Sequence, residues 1–242
     1  MNALAVLLGA VLAATPAAPR GSSPCPPEGD ATKPRIRELN EKKARDQTPS
    51  DEDIDETVSI EALLEPGDDS LRWQEGAAVE IVGYVLEVRD GGATSANCHS
   101  SDVADHDTIL EMSPDADVFD GAHRVFAVVT PGRRRTMTKA GEDWSTRTLR
   151  AQYLHRYVAV SGWLLFDFEA ASRALNTSGA PGPGITRATA WEVHPATGIE
   201  LAEEGGAEQA ARQSEAPDAP SRGAQRRGTP FSAANSNLQK LR

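Results

Sequence analysis

Cysteine, histidine and carboxylates crowd one short segment: Asn97-Cys98-His99, then Asp102, Asp105, His106 and Asp107. Thiolate and imidazole are the donors transition metals prefer, so the segment has the side chains of a metal site. Its spacing fits no established zinc pattern, and the same residues also read as a solvated loop. Asp115, Asp117 and Asp120 could offer oxygen to calcium, but the glycine and distal glutamate of an EF-hand are missing, which favours a charged turn. No Gly-x-Ser-x-Gly elbow, Walker loop or dinucleotide fingerprint occurs. No metal or cofactor is therefore expected. His194, next to Pro195, reads as a structural imidazole bonded to backbone, with catalysis as the alternative.

A second chemistry is anion binding. Arg133-Arg134-Arg135 lies near Lys139, Arg147 and Arg150, and three guanidinium groups on one turn could fork onto phosphates or sulfated sugars. The alternative is pairing with the acidic segment ahead of them. Residues 91–122 hold Asp102, Asp105, Asp107, Glu111, Asp115, Asp117 and Asp120 with no Lys or Arg, whereas 124–156 are mainly basic. The net charge of −11 argues against an indiscriminate polyphosphate binder. The candidate ligand-binding residues are Arg133, Arg134, Arg135 and Arg150, with Asn97 and His99 from a long loop. Trp163 joins them as a stacking platform.

These residues need elements to hold them. Residues 79–88 alternate first with odd positions apolar and, past Gly83, with even ones, so a bulge is expected at that glycine. Residues 108–112 and 124–130 are further strands, the latter stopped by Pro131-Gly132. Residues 144–155 read as the one helix of the domain, with Ser145 able to cap and Leu149 and Tyr153 one turn apart. Strands at 157–166 and 187–194 complete the set. The order β-β-β-α-β-β is that of an OB barrel, with a sandwich fragment or small open sheet as the alternative. Loops 89–106 and 167–186 would flank its ligand face.

Outside 71–201, residues 1–19 resemble a signal peptide, too short in its apolar run to span a bilayer. Residues 20–70 read as a linker with a short helix at 36–45, and 202–242 as a disordered tail. No transmembrane segment remains once the signal is removed, so the product is expected to be soluble in the periplasm or outside the cell. There Cys25 and Cys98 either pair across a long loop or remain free thiols.

Several stretches resemble a group of exported bacterial proteins: Gly83-Tyr84-Val85, Asn97-Cys98, Asp107-Thr108, Gly162-Trp163-Leu164-Leu165-Phe166-Asp167, and above all Arg187 with Trp191-Glu192-Val193-His194-Pro195. That group carries a Trp-Glu-(Ile/Val)-His-Pro motif, and the resemblance covers about residues 36–200. It implies an OB-like fold and export rather than an activity. Where similar sequences have Cys-Asn-Cys, this chain has Ala96-Asn97-Cys98. The expectation is a binding module for single-stranded nucleic acid, an anionic glycan or an envelope protein. The competing classes are a metal-dependent phosphodiesterase or nuclease and a purely structural envelope protein.

Overall fold

The structure, a computed structural model, describes residues 25–118, 120–180 and 182–203. The expected signal peptide, and the expected tail beyond residue 203, lie outside the described residues. Five strands, β1 (Ala78–Asp90), β2 (Thr108–Ser113), β3 (Val125–Val129), β4 (Tyr157–Phe166) and β5 (Trp191–Leu201), close into a barrel in the order β1-β2-β3-β5-β4. All neighbours are antiparallel except β3 and β5. The fold is thus mainly β and OB-like. Alternate side chains point inward, so Val79, Ile81, Leu110, Val125, Val160 and Val193 fill the interior. Each such aliphatic side chain contributes roughly 1.5–3 kcal/mol by leaving water.

The phase change in β1 occurs, but later than Gly83. Val85 pairs with Met112 and Glu87 with Glu111, which leaves Leu86 as the extra residue. Gly83 serves a different need, because a Cβ there would lie 2.6 Å from Cδ1 of Ile60 and 2.9 Å from the Ser113 carbonyl oxygen. Since the second obstacle is backbone, Gly83→Ala is expected to destabilise the fold by about 1–3 kcal/mol, read by chemical denaturation. β5 also differs from the sequence reading, starting at Trp191 and continuing past Pro195. Proline is tolerated there because the β4–β5 register slips between Ser161 and Leu164, where no ladder donor is required.

The expected helix between β3 and β4 is present as Thr146–Tyr153, with the Ser145 side chain accepting from the Thr148 amide. A further helix, Pro131–Lys139, precedes it. Pro131 ends β3 as expected and also starts this helix, since proline suits the first helical position and Thr130 caps it. The segment read as a linker is built into the molecule. Val58, Ile60 and Leu63 belong to the core, the last two on a short helix, Ile60–Leu64. Ahead of it stands another helix, Pro34–Lys43, two residues earlier than the sequence suggested and again with proline at its start. Among the described residues the α-helices are, in chain order, α1 (Pro34–Lys43), α2 (Ile60–Leu64), α3 (Pro131–Lys139), α4 (Thr146–Tyr153) and the short α5 (Leu175–Ser178).

The cysteines are paired, Cys25 to Cys98, which fastens the chain ahead of α1 to the first long loop. Gly29 lies flat on the same loop, with positive φ and no room for a Cβ beside the Ser95 carbonyl oxygen.

Candidate functional site

α1 fills the space between the two long loops. Asn40, buried, donates to the Glu28 carbonyl at 3.0 Å and to Oγ of Ser95 in the first loop at 3.2 Å. Lys43 reaches Asp167 at the start of the second loop at 2.9 Å, and the Arg35 guanidinium sits 3.9 Å from the Phe168 ring centre. Both loops therefore touch one ten-residue helix. Beyond its start the second loop turns away, where Asn176 donates to the Glu65 carbonyl at 2.9 Å. The face expected to be an open mouth is roofed by the chain's own N-terminal segment.

Beneath that roof the outer face of the barrel carries a row of charged groups. Glu111, Phe126, Glu192 and Leu165 are register partners across β2, β3, β5 and β4. Glu111 accepts from Arg89 at 2.6 Å and from Arg124 at 2.7 Å. The Arg187 guanidinium lies 4.3 Å from the Phe126 ring centre and pairs with Glu192 at 2.8 Å. Glu192 in turn meets Nδ1 of His194, also at 2.8 Å. Arg187, Glu192 and His194 are each 3 % exposed. Burial pushes the Glu192 carboxyl up, but the Arg187 charge, the His194 hydrogen bond and the charges of His194 and Lys43 outweigh it and hold it far below the usual carboxylate range. Asp107 goes the other way: burial raises its carboxyl despite the nearby charges of His194, Lys43 and Arg134. Burial would lower the Lys43 ammonium, yet the Asp167 and Glu192 charges turn the net shift upward.

A carboxylate can only accept, so the proton between Glu192 and His194 sits on Nδ1. Nε2 is then the other end of the ring, buried and, among the described residues, without a hydrogen-bond partner. His194 lines a cavity of about 120 Å³ shared with Lys42, Arg45, Glu75, Trp163 and Leu165. A second cavity of about 160 Å³ lies between Arg35, Leu39, Phe166 and Phe168. Lys42 and Glu75, bridged at 2.8 Å, border both.

The candidate residues read from sequence are dispersed. On α3, successive residues project about 100° apart. Arg133 donates to Thr48 and to the Thr197 carbonyl, Arg134 is buried against Thr108 and the Ala104 and His106 carbonyls, and Arg135 is exposed. Arg150 donates to the Val88 carbonyl at 2.7 Å. Asn97 closes a capping box with Thr94 inside its loop. His99 lies on the surface, 3.6 Å from Asp30. Trp163 borders the His194 cavity: its indole donates to the Gln47 carbonyl at 2.6 Å, and its ring carries Arg45. His194 is bonded to a side chain rather than to backbone, which alternation on a strand explains, since residues two apart share a face. Arg187 stands with the Trp191–Pro195 stretch in the resemblance, whereas Lys43 and Arg45 reach this face from the N-terminal segment, with no sequence signal linking them to it.

Among the described residues no group of three or more His, Cys, Asp or Glu is placed to hold a metal ion, and no helix is long and apolar enough to cross a membrane. Fold and site together define an OB-like barrel with a Glu–His pair at a roofed cavity on its outer face. No protein-family model matches the chain, and no curated protein matches it.

Proposed function

We propose that this chain is an exported OB-like binding module of the group sharing the Trp-Glu-(Ile/Val)-His-Pro motif, and that it takes its ligand into the cavity under α1. The observation that carries the reading is His194 at the wall of a cavity, its Nε2 buried and, among the described residues, without a hydrogen-bond partner. Leaving such an atom unsatisfied costs roughly 1–3 kcal/mol, a cost that a bound molecule with a hydrogen to donate removes. The motif residues supply this arrangement: Trp191 is core and donates from its indole to the Asp69 carbonyl at 2.7 Å, while Glu192 and His194 face outward. A disulfide fastening the roof suits an oxidising compartment, the periplasm or the exterior. Recognition of a small molecule is favoured over a long polyanion, because Arg134 and Arg150 donate to backbone carbonyls and the whole chain is acidic.

The test is native mass spectrometry of the protein after incubation with a small-molecule extract of the cells that express it. The wild type is expected to carry a reproducible low-mass adduct that a folded His194→Phe/Arg45→Gln variant lacks. No adduct on the wild type, or the same adduct on both, discards the reading.

A further inference from the structure

We infer that the ligand of the His194 cavity is a small hydroxy-monocarboxylic acid, its carboxylate on Arg45 and its hydroxyl donating to Nε2 of His194. This rests on the cavity being the ligand site. The charge argument comes from the cations that border the space. Lys42 is matched by Glu38 at 3.1 Å and Glu75 at 2.8 Å. Among the described residues no carboxylate pairs with Arg45. Its Nε donates to the Gln47 side chain at 3.4 Å, and its guanidinium carbon lies 3.1 Å from the Trp163 ring centre. Stacking uses the face of the guanidinium and leaves its in-plane N–H fork for a carboxylate, the geometry that favours two parallel hydrogen bonds. One unmatched cation suits one negative charge, and a second carboxylate on the ligand would meet Glu75.

The other half of the ligand follows from His194. With Glu192 accepting from Nδ1, a ring that holds no second proton presents a lone pair at Nε2, which asks for a hydroxyl or N–H and repels a bare carboxylate oxygen. A hydroxyl beside a carboxylate offers both groups in the fewest atoms. A volume of about 120 Å³ exceeds the 10–15 Å³ or so that a lone water needs, and Trp163, Leu164 and Leu165 give it an apolar wall for a short carbon skeleton.

The experiment is an NMR titration of the full chain with lactate, propionate and lactamide, followed at the Trp163 indole and the His194 ring. Propionate keeps the charge without the hydroxyl, and lactamide keeps the hydroxyl without the charge. Lactate is expected to give saturable shifts, with the other two binding at least tenfold more weakly. Arg45→Gln should bring lactate down to the level of lactamide. Equal binding of lactate and propionate overturns the assignment to His194, and equal binding of lactate and lactamide overturns that to Arg45. If none of the three moves these signals while the extract still yields an adduct that depends on His194 and Arg45, the acid class is wrong and the cavity reading stands. If the adduct is missing as well, both fall.

Discussion

Arg187→Met lowers the stability of the fold by about 3–5 kcal/mol, because it leaves Glu192 ionised and buried without its main counter-charge. The guanidinium does more than neutralise. It donates to the Thr189 carbonyl at 2.6 Å and to the Trp191 carbonyl at 3.3 Å, so its loss also strands backbone acceptors at the entry to β5. Removing both charges, in Arg187→Met/Glu192→Gln, should recover a large part of the loss, since the penalty comes from the unpaired ion rather than from the absence of the bridge. Urea denaturation of the two single variants and the double gives the coupling directly. The pH dependence has a defined sign. A carboxyl whose folded pKa is depressed adds stability that is fully present above its unfolded value, about 4.3, and is lost as pH falls from there through the folded value. Asp107, raised by burial, has the opposite slope, so the informative quantity is wild type minus Glu192→Gln. That difference should shrink steadily below pH 4. A difference flat from pH 7 to pH 3 contradicts the assignment.

The second large effect concerns the roof. Cys25 and Cys98 are separated by 73 residues, and closing a loop of that length restricts the unfolded chain by about 4 kcal/mol in the chain-entropy description. Cys25→Ser/Cys98→Ser is therefore expected to cost about 2–4 kcal/mol. Part of that loss should be local, because α1 keeps its own holds on both sides through Asn40 and Lys43 while the segment ahead of it is set free. Hydrogen exchange should speed up ahead of α1, over residues 28–33, and at Ser95–Cys98, with the β1 and β4 amides changing only as global stability does. A uniform acceleration over the whole molecule would mean that the disulfide acts on the unfolded chain alone and leaves the roof as firm as before.

The barrel was legible because its signals are local and periodic. Alternation in β1 and short apolar runs in β2, β3 and β4 mark strands that bury aliphatic side chains, and Ser145 ahead of Leu149 marks the helix that became α4. The remainder needed contacts distant in sequence. Val58, Ile60 and Leu63 form too short an apolar run to show a period, yet Ile60 packs on Gly83, more than twenty positions away. Pro131 gives the same local signal whether it stops a strand or opens a helix, so α3 was hidden behind the end of β3. The arginine triplet looked like one patch because adjacent letters look adjacent in space, whereas a helix splays them. Of the site, Trp163 is legible as a stacking platform, while Arg187, Glu192 and His194 stand in the stretch that carries the resemblance with no signal that sets them around a cavity. Arg45 and Lys43, arriving on a segment that resembles a linker, are not legible.

The most direct measurement is the nitrogen spectrum of the His194 imidazole, recorded by long-range proton–nitrogen correlation on the ligand-free protein and again with lactate. A ring carrying its proton on Nδ1, with a bare Nε2 signal that moves on addition of lactate, is the predicted result. A proton on Nε2, whether or not Nδ1 also carries one, or an Nε2 signal that stays still at saturating acid, would contradict it.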